Sequence, residues 1–247
     1  MIRTLVCPEE EAEPELTAIC AQPQEHVHTQ ECFEPVYVSV MSCELPEHQH
    51  SLACWSDAEA DTESVSDWKR SFAHVQLTGV RETDIIAIAH SQLGYHESVR
   101  NYIVLEDGET TRGYTRYGAW YGAPYSDWCA MFASFCLHYA GVEDVPLEAH
   151  CQKWIWALME EDLYREADQY QPKPGDLIFF DFDEDERSDH VGIVAEIGEQ
   201  LKTIEGNSAD CVRNVTYELD DVCIMGYGVI PEILNQHIRK AEAIVRW

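Results

Sequence analysis

The sequence predicts an α+β fold, and the order of its periodicities is the reason. Apolar residues recur at helical spacing from about Thr83 to Leu163. From Pro174 onward the pattern changes to short apolar runs divided by polar turns. Helices first and strands after read as N-terminal helices packed on an antiparallel sheet. A third observation places a small Cys/His-rich repeat unit in front of this body.

The expected divisions are a repeat unit over 1–55, an acidic polar linker over 56–78, a main domain over 79–231 and a last helix over 232–247. In the repeat unit, Cys20, Glu25-His26-Val27-His28 and Cys32-Phe33 are echoed by Cys43, Glu47-His48-Gln49-His50 and Cys54-Trp55. Cys7 reads as the remnant of a third copy. Side chains alternate across a strand, so His-x-His turns both imidazoles to one side. Two sulfurs and two nitrogens per copy make the ligand set of a tetrahedral structural zinc site. That predicts one zinc on Cys20, His26, His28 and Cys32, and another on Cys43, His48, His50 and Cys54. The alternative is a disulfide closing each loop, as in secreted domains. It leaves the paired histidines unexplained. From Ser56 the composition turns to Asp, Glu, Ser and Ala, which reads as a linker.

The main domain opens with a helix near Thr83, with Ile85, Ile86, Ile88, Ala89 and Leu93 on its apolar face and Gly94 as its stop. A Gly- and Tyr-rich loop, Tyr114 to Tyr125, leads into an apolar helix that starts at Cys129 and runs to Gly141. A further helix spans about Ala149 to Leu163, with Trp154, Ile155, Leu158 and Met159 expected inside. Strands follow at Leu177–Phe182, His190–Ile197, Leu201–Glu205, Asn214–Leu219 and Ile224–Ile230.

The chemistry is concentrated in three of these elements. A thiol is a weak nucleophile until it loses its proton, and a helix start beside an imidazolium depresses a cysteine pKa to ~3.5–7.5. Cys129 stands at such a start, whereas Cys136, farther along the helix, reads as an inert core cysteine. Of the eleven histidines, His190 alone opens a strand motif that is followed by a carboxylate on the next strand. It is the candidate general base and acid. Glu205 and Asn207 are expected on one strand face, where either can orient the imidazole. The Cys129 backbone N–H is the candidate oxyanion donor. The aromatics Tyr114, Tyr117, Trp120, Tyr121, Tyr125 and Trp128 fit either a cleft wall or the core.

Four segments carry a resemblance: Asp127-Trp128-Cys129-Ala130-Met131, Pro174-Gly175-Asp176-Leu177-Ile178-Phe179, Asp189-His190-Val191-Gly192-Ile193-Val194 and Ile204-Glu205-Gly206-Asn207. In this order they resemble the CHAP family, the cysteine, histidine-dependent amidohydrolases and peptidases of bacterial and phage cell-wall hydrolysis. The resemblance spans roughly the last two-thirds of the chain. It implies a papain-like fold, with Cys129, His190 and Glu205 matching the catalytic residues and Asn207 the asparagine often found two positions on. The Asp-Cys-Ser motif typical of the related NlpC/P60 enzymes is lacking. The implied substrate is peptidoglycan or its peptide fragments, cleaved as an N-acetylmuramoyl-L-alanine amidase or as a stem or cross-bridge endopeptidase. The implied location is extracellular or at the cell wall. A second reading is a catalytically silent scaffold whose Cys/His repeats dock a partner.

Composition narrows the partners. The formal net charge is −30, from 46 acidic against 16 basic residues. Phosphate backbones need a basic surface, so nucleic acid is excluded as a partner. No apolar run approaches the ~20 residues of a membrane span, and the N-terminus shows no signal-peptide core. Between Asp181 and Asp189 the alternating carboxylates resemble the start of a calcium loop. The turn glycine and the closing bidentate Glu of such a loop are missing, so a solvated hairpin is expected.

Overall fold

The computed structural model describes residues 15–18, 33–36 and 51–232. The chain divides into two units, Met1–Asp61 with Val99–Arg112, and Thr62–Ser98 with Gly113–Trp247.

In the first unit, β1 (Glu15–Ala18) pairs antiparallel with β2 (Phe33–Val36), Ala18 opposite Phe33. The two strands flank the first Cys/His copy. Of the eight expected zinc ligands, Cys20, His26, His28, Cys32, Cys43, His48 and His50 lie outside the described residues. Cys54 is buried in a short 3-10 turn, Leu52–Trp55. This unit extends past residue 55. Asn101 donates to the carbonyls of Ala58 and Ala60, both at 3.0 Å, and Ser56 exchanges two hydrogen bonds with the backbone of Tyr102. The hairpin of β3 (Tyr102–Val104) and β4 (Thr111–Gly113) therefore closes on 56–61, although the sequence placed it in the main domain.

The second unit begins inside the expected linker, which is a second correction. Residues 56–78 hold α1 (Val65–Ser71), started by a capping box. Ser64 Oγ accepts from the Asp67 N–H at 3.3 Å, and Asp67 Oδ2 accepts from the Ser64 N–H at 2.9 Å. Trp68 then packs into the main core. One buried tryptophan among polar residues does not stand out as a periodic face, so composition alone suggested a linker.

Next come α2 (Arg81–His90), α3 (Arg116–Tyr121), α4 (Cys129–Tyr139) and α5 (Cys151–Glu160). In α4 every residue from Cys129 to Leu137 is buried, as its near-continuous apolar sequence requires. It lies against β7 and β8 on one side and α2 and α3 on the other. Trp154, Ile155 and Leu158 of α5 are buried as expected, but Met159 is exposed.

The sheet is antiparallel throughout, in the order β5-β10-β6-β7-β8-β9. Its strands are Tyr164–Glu166, Leu177–Phe180, His190–Ile197, Leu201–Glu205, Arg213–Tyr217 and Ile224–Gly228, taken as β5 to β10 in chain order. The α+β expectation is met, with helices ahead of an antiparallel sheet. The helix expected over 232–247 lies beyond the described residues. No helix among the described residues is long and apolar enough to cross a membrane.

The Pro174-Gly175-Asp176 turn locks β6 in place. Gly175 sits at φ 91°, a left-handed value that favours glycine. Asp176 is buried and accepts from Lys173 N–H (2.8 Å), Tyr170 hydroxyl (2.9 Å) and Ile230 N–H (3.0 Å). One carboxylate thus ties the entry of β6 to the chain leaving β10.

Candidate active site

Cys129 is the first residue of α4. Its N-cap, Trp128, makes no side-chain capping bond, so the cap residue's own side chain does not compete with the sulfur for the positive end of the helix. The residue is 5% exposed and lines a cleft of about 280 Å³ with Asp127, Ala149, His150, Cys151 and Ser188, and with Asp185, Arg187 and Asp189 of the acidic loop.

His190 enters this site because it opens β7. Its ring lies near enough to the Cys129 sulfur for each to shift the other's ionisation, and on the other side Nε2 lies 3.0 Å from Glu205 Oε2. Nδ1 is left as the ring nitrogen on the thiol side. Strand register explains the second contact. Ile193 pairs with Ile204, which sets Gly192 beside Glu205 and places His190 diagonally across on the same face. A Cβ on Gly192 would come within 2.9 Å of Glu205 Cγ. The missing side chain is the channel through which the carboxylate reaches the imidazole. In the next motif, a Cβ on Gly206 would meet Phe132 Cβ at 2.5 Å, so that glycine lets the end of β8 approach α4.

Glu205 is 1% exposed, and a buried carboxylate requires partners. Besides His190 it has the Thr203 hydroxyl, donating to Oε1 at 2.6 Å, and the Tyr217 hydroxyl. Burial pushes its pKa up, but these hydrogen bonds and the His190 charge bring it below the usual glutamate value. Phe180 packs on Tyr217 and Phe182, with centroids 4.6 and 5.3 Å apart, and closes this face around the His190 ring. Neither Thr203 nor Tyr217 was singled out from the sequence. Thr203 could have been, because it lies two residues from Glu205 on the same strand. Tyr217 required the pairing of β8 with β9.

The ionisation of the pair follows from these contacts. Cys129 is held well below the ordinary thiol value, first by a hydrogen bond from Cys151. Burial opposes this, and the His190 bond, the His190 charge and the Val191 N–H reinforce it. For His190, burial pulls the pKa down, but the bonds to Cys129 and Glu205 outweigh it and raise the value to about 10. Both shifts favour the thiolate–imidazolium form of the pair. Cys151 has the opposite character. Its sulfur lies 3.5 Å from that of Cys129, and that contact together with burial holds it well above the usual thiol value.

Other expected residues fall outside this group. Asn207 lies two residues past the end of β8 with φ 56°, in a turn. Strand alternation stops before it, so the one-face argument that paired it with Glu205 in the sequence does not reach it. Cys136 is fully buried, and burial pushes its thiol well up. The aromatics divide in favour of the core. Tyr117 and Trp128 are fully buried and stacked at 5.3 Å, with Tyr117 also edge-on to Phe132 and Phe135, and none of the six lines the cleft. In the acidic loop, carboxylate oxygens of Asp181, Asp183 and Asp189 lie within 4.8 Å of one another. Asp181 already accepts from the Asp185 and Glu186 N–H groups at 3.2 and 2.9 Å.

A family model described as "CHAP domain" matches residues 120–207, which include Cys129, His190 and Glu205. No curated protein matches the chain. Among solved structures, an NlpC/P60 family protein from Bacillus cereus ATCC 10987 is similar at 14% identity and a TM-score of 0.35. The likeness covers 60% of this chain and 39% of that one. Residues 120–207 thus match the CHAP domain, the family that the four sequence motifs resemble.

Proposed function

We propose that the protein hydrolyses amide bonds of bacterial peptidoglycan, at the cell wall or outside the cell, with Cys129 as nucleophile. The observation that carries the reading is the grouping of Cys129, which lines a cleft, with His190, whose Nε2 lies 3.0 Å from the buried Glu205 carboxylate. The Cys129 thiolate attacks the carbonyl carbon, and the Cys129 N–H at the start of α4 stabilises the oxygen that becomes negative. As the C–N bond breaks, the His190 imidazolium gives its proton to the leaving amine and an acyl-thioester remains. His190 then takes a proton from water, which attacks the thioester and frees the sulfur. Glu205, buried and held by Thr203 and Tyr217, keeps the imidazole in one orientation and tautomer. All these roles are filled by side chains and backbone of the chain itself.

The scissile bond is either the lactyl amide of muramic acid or a peptide bond of the stem or cross-bridge. Mass spectrometry of purified peptidoglycan digested with the full chain tests the reading. Soluble fragments with new amine termini are expected from wild type and none from Cys129→Ser. Equal fragment release by the variant would overturn it.

A further inference from the structure

We infer that Cys151 is a resolving cysteine for the nucleophile: hydroperoxides oxidise Cys129, and the product is captured as a reversible Cys129–Cys151 disulfide. The inference rests on the reading of Cys129 as the reactive thiol. Its basis is geometric. The two sulfurs lie 3.5 Å apart and line the same cleft, although 22 residues separate them in sequence. Each cysteine is the first residue of its helix, α4 and α5. No preceding helical turn restricts its χ1 there, so a modest side-chain rotation can shorten the contact to the ~2.05 Å of a disulfide. Cys136, two turns further along α4, is sealed in the core and does not line the cleft.

The two thiols are also chemically divided as this sequence of steps requires. The contacts of Cys129 favour its thiolate, the form that peroxides oxidise. Cys151 keeps its proton and reacts second. In the first step the Cys129 sulfur attacks hydrogen peroxide. An S–O bond forms, the O–O bond breaks, sulfur loses two electrons, and the departing hydroxide takes a proton to become water. In the second step the Cys151 sulfur attacks the sulfenic sulfur of Cys129. The S–S bond forms, the S–O bond breaks, and hydroxide leaves with the Cys151 proton as a second water. Two thiols and one peroxide become a disulfide and two waters. The nucleophile is silenced but is kept from the sulfinic and sulfonic states, which thiols do not reverse.

The test treats the reduced full chain with hydrogen peroxide, then with dithiothreitol, and follows peptidoglycan hydrolysis and peptide mass maps at each stage. For wild type, loss of activity with a Cys129–Cys151 crosslinked peptide is expected, followed by recovery of most activity on reduction. For Cys151→Ser, recovery relative to that variant's own untreated rate is expected to fall roughly tenfold, with Cys129 found as sulfinic or sulfonic acid. Wild-type maps need no variant to fold: if they show Cys129 over-oxidised with Cys151 still a thiol, the resolving role is overturned and the nucleophile stands. Equal recovery by Cys151→Ser overturns it as well. If Cys129 stays unmodified in peroxide, both the inference and the assignment of Cys129 as the reactive thiol fall.

Discussion

At the scale of single residues, two thiols on one helix have opposite environments. Cys129 heads α4 against an imidazolium, whereas Cys136 is enclosed by apolar side chains that push its thiol up. Cys129→Ser is expected to lower turnover on the order of 10⁴-fold or more, with the fold intact by circular dichroism. Cys136→Ser should leave the rate nearly unchanged, and wall-lysis assays on both variants check this. The orienting role separates in the same way. Glu205 bonds the His190 ring directly, and Asn207 lies in a turn beyond the strand. Glu205→Gln should cost roughly 10²–10⁴-fold in turnover and Asn207→Ala much less, and steady-state kinetics that give the reverse order would exchange the roles. The same contacts fix a pH response. The active thiolate–imidazolium pair is lost at low pH when Cys129 gains a proton, and at high pH when His190 loses its own near 10. A bell is expected whose acid limb lies well below the usual thiol value and whose alkaline limb lies near 10. Glu205→Gln removes a group that raises His190, so its alkaline limb should move to lower pH.

At the scale of elements, the motif glycines are spacers between side chains and strands. The backbone of Gly192 has no left-handed requirement; its missing Cβ makes room for Glu205 beside β7. Gly192→Ala is therefore expected to displace the carboxylate. Turnover should fall more than tenfold, by analogy with other losses of an orienting group, while the thermal midpoint changes little. Gly206→Ala meets the first side-chain carbons of Phe132, which has no room to retreat into a packed helix. It should cost about 1–3 kcal/mol by over-packing, read as a lower midpoint in thermal or urea unfolding. The pair separates two uses of glycine in one site. A large stability loss in Gly192→Ala with normal kinetics would show that the Glu205 channel is misassigned.

At the scale of the whole molecule, the chain consists of two units with different means of support. The second has an apolar core built from α4, its neighbouring helices and one face of the sheet. The first has two short strand pairs and a 3-10 turn among its described residues, with little apolar content in the repeats themselves. Units that small usually need a metal or crosslinks. We propose one structural zinc per Cys/His copy; four protein ligands leave no open position for substrate water. Elemental analysis of protein purified without added metal is expected to find about two zinc ions per chain, one for each four-ligand site. Chelation should loosen the N-terminal unit while Cys129 still reacts with a thiol reagent. Metal-free protein with Cys20, Cys32, Cys43 and Cys54 paired as disulfides would refute the zinc sites.

Much of the catalytic region was legible in the sequence, because its signals are local. Helical and strand periodicity, a cysteine at a helix start, a histidine opening a strand and a glutamate closing the next are each set by residues a few positions apart. Those features determined the α+β class and the chain order of the proposed nucleophile, base and carboxylate. Tertiary structure decided what depends on register and on contacts between distant segments. It placed Tyr217 on Glu205, set Asn207 beyond the strand end, and drew α1 out of an apparent linker through the burial of Trp68. It also brought Cys151 to 3.5 Å from Cys129. A one-residue change in register turns every side chain of a strand to the opposite face, and a helix start can face any cleft its packing permits. Sequence pattern therefore names the chemical groups, and the folded chain decides which of them touch.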